Sequence, residues 1–287
     1  MKLMNNPLVS VVMITYCQEN YIEEAINGVL GQECNFEVEL IIANDFSPDG
    51  TDTIIRNIIK KHPKKNWILY FNRNENMGMM PNFIDAIQKT RGKYIALCEG
   101  DDYWIDPLKL QKQVDFLEAN QNYSFCFHNA DTIFCDTGVI KPFNKNLKPG
   151  SYTTKDLLLK GWIIPTASVI FRKQSLPKTM PDWYSTVRSG DYALELLLST
   201  HGPFYYMNEK MSVYRKNAIN SLSVNSSNGI EIVKHHLSLL NHFKKDNPKK
   251  NGLGTNLAII KTRYNLMKVY IYDMLPFVVT LKNKILK

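Results

Sequence analysis

The feature that most constrains the fold is an alternation of two hydrophobic periods over the first hundred residues. Residues 8–15 (LVSVVMIT) form a near-continuous β-branched run, and residues 38–43 and 67–71 read alike. Strands buried on both faces look this way, because neither face can carry a polar row. Between these runs the period becomes helical. Tyr21, Ile22, Ala25, Ile26, Val29 and Leu30 fall on one stripe, as do Ile54, Ile55, Ile58 and Ile59, and then Phe83, Ile84 and Ile87. Three strand–helix repeats followed by a strand at 94–98 predict βαβ units with right-handed crossovers and a mostly parallel sheet.

Beyond residue 100 the pattern loosens. It predicts a helix over 107–120, strands at 124–128 and 131–134, and a Gly/Pro/Lys/Asn-rich link over 138–150. A mixed second half follows, with helices near 155–160 and 191–200 and strands at 167–172 and 211–215. The Asn/Ser-rich stretch 216–228 reads as a surface loop, and helical pattern resumes to about residue 243. With 44% hydrophobic and 22% charged residues, this is a globular composition, which excludes a disordered, collagen-like or coiled-coil chain.

The formal charge of +8 is unevenly placed: residues 1–240 hold 25 basic and 25 acidic side chains, whereas 241–287 hold ten and two. The five cysteines contain no CxxC pair, and the polar start of the chain offers no secretory h-region; both point to a reducing, cytoplasmic compartment. No run approaches the apolar length needed to span a bilayer, since the best segment, 269–281, is broken by Asp273 and Pro276.

In an open parallel sheet, ligands bind beyond the carboxyl ends of the strands. Three predicted strands end there in polar residues. The first runs into Thr15, Tyr16, Cys17, Gln18 and Glu19, and the second into Asn44, Asp45, Phe46, Ser47, Pro48, Asp49, Gly50 and Thr51, which also read as a turn and helix cap. The fourth ends in Glu99, Gly100, Asp101 and Asp102. Three carboxylates in four residues repel one another, and such a run is costly unless a cation or many donors neutralise it. Mg²⁺ or Mn²⁺, which take one or two protein carboxylates with phosphate oxygens and water, suit it.

Taken in order, VSVVMITYCQENYIEEAINGVLGQ, ANDFSPDGT, Asn76 to Gly78 with Asn82, GKYIALCEGDDYW and DPLKLQKQ resemble family 2 glycosyltransferases of the GT-A fold, over about residues 8–118. The resemblance implies a Rossmann-like, mostly parallel central sheet flanked by helices, with a mixed carboxyl-terminal half and a helical basic tail. It implies a nucleoside-diphosphate sugar donor, UDP-linked in the first instance, and a divalent cation, Mn²⁺ or Mg²⁺. Thr15, Tyr16 and Glu19 match the first-strand nucleotide contacts, and Asp45 matches the base-binding aspartate. Asp101 and Asp102 match the metal motif, with Asp102 the direct ligand and Asp101 also beside the nucleotide. Arg215 matches a late basic position near the diphosphate, where it competes with the reading of a strand-end surface arginine. The sequence departs from common family patterns at Cys17, at Asn44 and Phe46, at Glu99 and at Asn217.

An inverting transfer needs a base for the acceptor hydroxyl's proton. In the family that base precedes a helix of the second half, and Asp191 in SGDYALELLL fits; Asp191 also reads as an N-cap, and Asp182 competes for the role. The expected organisation is a nucleotide-sugar-binding α/β half over 1–120, an acceptor-side half of the same catalytic domain over 121–240, and a basic helical tail over 241–287. In the tail, Ile259, Ile260, Arg263, Tyr264, Met267, Tyr270 and Ile271 share a stripe flanked by Lys261 and Lys268, which fits either packing on the body or an anionic membrane surface. The expected reaction is inverting transfer of a sugar to a hydroxyl of a glycan or lipid-linked acceptor, by a cytoplasmic protein peripheral on the inner face of the membrane. The alternatives are a nucleotidyltransferase, or a non-catalytic nucleotide-sugar or membrane-surface partner. Nucleic acid is not an expected partner, because the excess charge is confined to the tail and no binding motif accompanies it.

Overall fold

The computed structural model describes residues 6–219, 229–248 and 252–285, with side chains of the last helix described to residue 268. The first half alternates as its periods predict: β1 (Val9–Thr15), α1 (Ile22–Leu30), β2 (Val38–Asn44), α2 (Thr51–Lys61), β3 (Ile68–Asn72), α3 (Met79–Gln88) and β4 (Tyr94–Leu97). These strands are parallel, in the order β3-β2-β1-β4, with β1 and β2 in register from Val9↔Val38 to Thr15↔Asn44. The chain therefore reverses its direction of travel across the sheet between β1 and β4, which opens a crevice at their carboxyl ends.

The second half contributes β5 (Tyr103–Trp104), α4 (Lys109–Ala119), β6 (Phe125–Phe134), β7 (Ile140–Pro142), β8 (Gly150–Tyr152), α5 (Thr154–Lys160), β9 (Ile170–Arg172), α6 (Gly190–Ser199), β10 (Phe204–Lys216), α7 (Gly229–Asp246) and α8 (Gly252–Ile285). The same sheet continues as β4-β9-β6-β10-β5, with β7 on β6 and β8 on β10. Strand β9 is antiparallel to both β4 and β6, and β10 is parallel to β6. Direction is thereby restored, so β1 to β4, β6 and β10 all present their carboxyl ends to one edge.

Alternation along β1 divides the core in two. Val9, Val11 and Met13 pack with Ile22, Ala25, Ile26 and Val29 of α1 and with Leu110, Val114 and Leu117 of α4. Val12 faces the opposite way, toward Met80, Ala86 and Ile87 of α3 and Leu194 and Leu197 of α6. Each fully buried aliphatic side chain contributes about 1.5–3 kcal/mol by leaving water.

Several boundaries differ from the expected ones. Residues 124–128 and 131–134 belong to one strand, β6. The His128-Asn129 pair that interrupts the apolar run is buried, and Asn129 Oδ1 accepts the backbone N–H of Ala130 and of Asn144, each at 3.0 Å. Strand β10 begins at Phe204 rather than near 211, and the exposed polar residues 208–210 that hid its first part coincide with register irregularities against β6. The expected link over 138–150 contains β7, and the expected strand over 167–172 begins as a 3-10 turn, Thr166–Ser168. The loop expected over 216–228 lies outside the described residues from 220 on.

The tail packs on the body. Leu239, Leu240 and Phe243 of α7 and Ala258 and Ile259 of α8 join the α3/α6 core. The expected stripe splits: Ile259 turns inward, whereas Ile260, Tyr264 and Met267 stay exposed together with Leu253 and Leu257, and the side chains of Tyr270 and Ile271 lie outside the described set. Among the described residues, no helix is long and apolar enough to cross a membrane.

One glycine ties this frame to the strand-end turns. A Cβ on Gly28 of α1 would meet the Trp104 backbone oxygen at 2.8 Å and its nitrogen at 2.9 Å. Alanine is the better helix former, yet it would wedge α1 away from β5. We expect Gly28→Ala to lower stability by about 1–3 kcal/mol, measured by urea unfolding; unchanged stability would show that the two elements can separate freely.

Candidate active site

At the carboxyl ends of β1 and β2, two loops are laced together by their own polar groups. Cys17 and Phe46 both adopt left-handed backbone, with φ of 55° and 60°, and this turns each loop sharply off its strand. The N–H groups of Cys17, Gln18 and Glu19 donate to Ser47 Oγ (3.0 Å), Thr51 Oγ1 (3.0 Å) and Asp49 Oδ2 (3.1 Å). In return Glu19 Oε2 accepts the Gly50 N–H at 2.7 Å, next to the first turn of α2, where a carboxylate is favoured. Asp49 Oδ1 accepts both the N–H and the hydroxyl of Thr51.

Asp45 is buried, and its two oxygens accept the N–H groups of Met77 and Gly78, each at 2.9 Å. It thus draws the Asn76–Gly78 turn over the end of β2. Thr15 is also buried and donates to Gln18 Oε1 at 2.7 Å. Beside it Tyr16 is 43% and Phe46 52% exposed, two aromatic faces open to the crevice edge. Thr15, Tyr16, Glu19 and Asp45 are therefore brought together, with the Glu19 carboxylate engaged in holding the loops.

The acidic turn after β4 lies directly beside the first of these loops. Gly100 has no room for a side chain, because a Cβ there would press on Gln18 Oε1 and meet Thr15 Oγ1 at 2.8 Å. Asp102 is 2% exposed, and its Oδ1 accepts the Arg215 N–H at 2.9 Å. Burial pushes all three carboxyls above their usual range, and like-charge repulsion adds to the rise at Glu99 and Asp102. Glu99 reaches about 8, through burial first and then the charges of Asp101 and Asp191.

Arg215 is itself 8% exposed. Its guanidinium donates to the Asp101 carbonyl (2.6 Å) and to the Glu24 carboxylate, and lies 5.1 Å from the Tyr21 ring centroid and 4.4 Å from that of Tyr103. It is not a strand-end surface arginine: it ties the acidic turn to α1. Glu24, which completes this tie, has no sequence signal, being 191 positions from its partner.

Asp191 stands in the first turn of α6. Ser189 occupies the N-cap, so Asp191 is not the cap. A Cβ at Gly190 would collide with Met80, and Tyr184 donates to the Gly190 carbonyl at 3.0 Å, which together fix this turn against α3. Burial raises the Asp191 carboxyl, while the N–H groups of Tyr192 and of Asp191 itself draw it back. The Tyr214 phenol is raised by burial and then by the charges of Asp102, Glu99, Asp101 and Asp191, so its hydroxyl end faces the same acidic centre. The competing Asp182 is exposed, and neighbouring Trp183 donates to Asp246 of α7 while Tyr184 is core.

The donor set is one of hard carboxylate oxygens short of positive charge, which fits a divalent cation. Among the described residues, no three or more His, Cys, Asp or Glu side chains form a complete metal cage. Asp102 and Asp101 would therefore hold such an ion with oxygens from a ligand.

The model of glycosyl transferase family 2 matches residues 10–178, and the chain belongs to this family. An uncharacterized protein of Mycobacterium tuberculosis is 38% identical over 218 residues, 73% of this chain and 59% of that one. The chain thus spans about 59% of the length of that relative. The putative teichuronic acid biosynthesis glycosyltransferase TuaG of Bacillus subtilis is 29% identical over 228 residues, 75% of this chain and 82% of that one. Among solved structures, S. aureus TarS in complex with UDP-GlcNAc superposes with a TM-score of 0.63 at 15% identity, over 88% of this chain and 71% of that one. The mannosyltransferase PcManGT of Pyrobaculum calidifontis, in complex with GDP-Man and Mn²⁺, gives 0.60 at 16%, over 98% and 80%. The fold is that of GT-A glycosyltransferases.

Asp102→Asn keeps an acceptor for the Arg215 N–H and removes the charge. We expect the Mn²⁺-dependent part of the thermal stabilisation by UDP to vanish in this variant. A full Mn²⁺ effect would remove Asp102 from the cation site.

Proposed function

We propose that the chain transfers a sugar from a nucleoside diphosphate, UDP in the first instance, to a hydroxyl of a glycan or lipid-linked acceptor, with inversion at the anomeric carbon. The observation that carries this reading is convergence at one sheet edge. A strand-end crevice at Thr15, Tyr16 and Asp45, an acidic turn at Asp101 and Asp102, and a half-buried carboxyl at Asp191 with a raised pKa all meet there. UDP-GlcNAc in TarS and GDP-Man with Mn²⁺ in PcManGT support a nucleotide-sugar donor and a divalent cation.

In this reading Tyr16 stacks on the base, and Asp45, already fixed by two N–H groups, accepts from the base with its remaining lone pairs. Glu19 shapes the nucleotide loop, Asp101 lies beside the diphosphate, and Asp102 binds the cation. When bound there, Mn²⁺ or Mg²⁺ would supply positive charge to the diphosphate leaving group. Asp191 takes the acceptor hydroxyl's proton as that oxygen attacks the anomeric carbon opposite the diphosphate. Its environment suits a base, because a raised pKa makes the carboxylate a better proton acceptor. Arg215 acts behind the acidic turn, holding Asp101 and Asp102 toward the crevice. Residues 1–120 serve the donor, 121–240 the acceptor, and 241–287 form the tail; the sheet runs unbroken through the first two.

The tail fits an anionic membrane surface. Leu253, Leu257, Ile260, Tyr264 and Met267 form an exposed apolar row on α8, and Arg263 and Lys268 lie alongside it.

For Asp191→Asn we expect kcat to fall about 100-fold or more with donor binding intact; unchanged turnover would remove the base role. Since the Asp191 pKa is raised, wild-type activity should be present above that pKa and lost as pH falls through it. The acid limb should then lie above the ordinary aspartate range, and a limb at that range would contradict a base whose pKa is raised. Replacing Ile260, Tyr264 and Met267 by Gln should weaken sedimentation with phosphatidylserine vesicles while leaving turnover on soluble acceptors intact; equal sedimentation would end the membrane assignment.

A further inference from the structure

A second cleft, of about 250 Å³, opens at the carboxyl ends of β6 and β10. Thr132, Phe134, Lys141, Phe143, Tyr214 and Lys216 line it. The strand register builds its floor: Thr132 is paired with Tyr214 of β10 and with Lys141 of β7, and Phe134 is paired with Lys216. Directly paired residues point to the same face, so these side chains stand together. Phe143 lies edge-on to Tyr214 with ring centroids 5.9 Å apart. The ammonium groups of Lys141 and Lys216 approach the one ring of Phe134, at 5.6 Å and 5.3 Å from its centroid.

Two like charges gathered on one ring repel each other. Lys89, Lys93, Lys112 and Lys210 each pair with a carboxylate. Among the described residues Lys141 and Lys216 have no such partner, and both are exposed. The cleft therefore presents aromatic faces with uncompensated positive charge above them. Tyr214 joins it to the acidic centre, since its ring lines the cleft while its hydroxyl end feels Asp102, Glu99, Asp101 and Asp191. The nucleotide end, at β1 and β2, lies on the other side of that centre, because β4 and β9 separate β1 from β6 in the sheet. A ligand in this cleft would thus lie at the same sheet edge as the donor crevice, on the far side of the acidic turn from the base.

We propose that this cleft is the acceptor site and that the acceptor is an anionic saccharide, with a sugar ring against Tyr214, Phe143 and Phe134 and its phosphate or carboxylate between Lys141 and Lys216. The inference rests on the transferase reading above and deepens it by naming the acceptor's chemical class.

The test is calorimetric titration of the full chain, with Mn²⁺ and UDP present, using maltotriose, phosphorylated maltotriose and trigalacturonate. At least one anionic probe should bind about fivefold or more tightly than maltotriose, the effect of two exposed ion pairs of ordinary strength. Which one does so separates phosphate from carboxylate. In the double variant Lys141→Gln, Lys216→Gln that preference should disappear while UDP and Mn²⁺ affinity stays unchanged. Equal affinity for neutral and anionic probes overturns the proposal, as does a preference that survives in the double variant, or no anionic binding at about 10 mM. A double variant that loses only attachment to phosphatidylserine vesicles also overturns it, in favour of a membrane contact. Failure of the wild type to bind UDP or GDP with Mn²⁺ would instead strike the transferase reading. The saccharide comparison, run without nucleotide, would still decide the cleft.

Discussion

Repulsion among carboxyls at the end of β4 is the constraint around which the site is organised. Glu99, Asp101 and Asp102 follow the most central parallel strand, where burial disfavours their charged forms; Asp101 adds to the rise at Glu99 and Asp102, and Glu99 to that at Asp102. Such a turn would spring open if it were held by its own backbone alone. Three ties keep it closed: Gly100 fits beneath Gln18 and Thr15, the Arg215 N–H donates to Asp102, and the Arg215 guanidinium bridges the Asp101 carbonyl to Glu24. The short β5 strand pairs with β10 directly after the turn, so the position of Arg215 is set by the sheet itself.

The parallel half of the fold was legible because burial on both faces leaves a mark in sequence. The β-branched runs of β1 and β2 and the stripe of α1 located those elements within a residue, and the stripe of α2 lies within three residues of that helix's ends. What could not be read was how distant polar groups complete one another. Asp45 stands out as a strand-end acid, yet nothing in its spacing shows that Met77 and Gly78 lie on its oxygens. Lys109 shows the limit in another way: a lysine opening a predicted helix reads as solvated. It is fully buried instead, 3.9 Å from the Trp104 ring centroid, donating to Gln113, and its ammonium is pushed down to about 7 by that burial.

The same limit explains the mixed half. There the sheet is built from short antiparallel insertions on a curled frame, and strands such as β6 carry buried polar residues that interrupt an apolar period. Asn129 is tolerated inside β6 because Asn144, fifteen residues on, satisfies it. Sequence periodicity reports how a segment meets its neighbours on average. It does not report a polar residue whose partner arrives from another loop.

Charge accounting at the centre also bears on the order in which ligands assemble. Arg215 is committed to Glu24 and to a carbonyl, and although it draws Asp101 and Asp102 down, burial keeps both carboxyls raised. A nucleotide arriving without a cation would bring more negative charge to a site that already disfavours its own. A cation arriving without a nucleotide would find at most a partial shell of protein oxygens, since no complete cage exists among the described residues. On the proposed reading each component supplies what the other lacks, and their binding would be coupled through the field of Asp101 and Asp102. Asp191 lies within that field as well, since its charge is felt at Glu99.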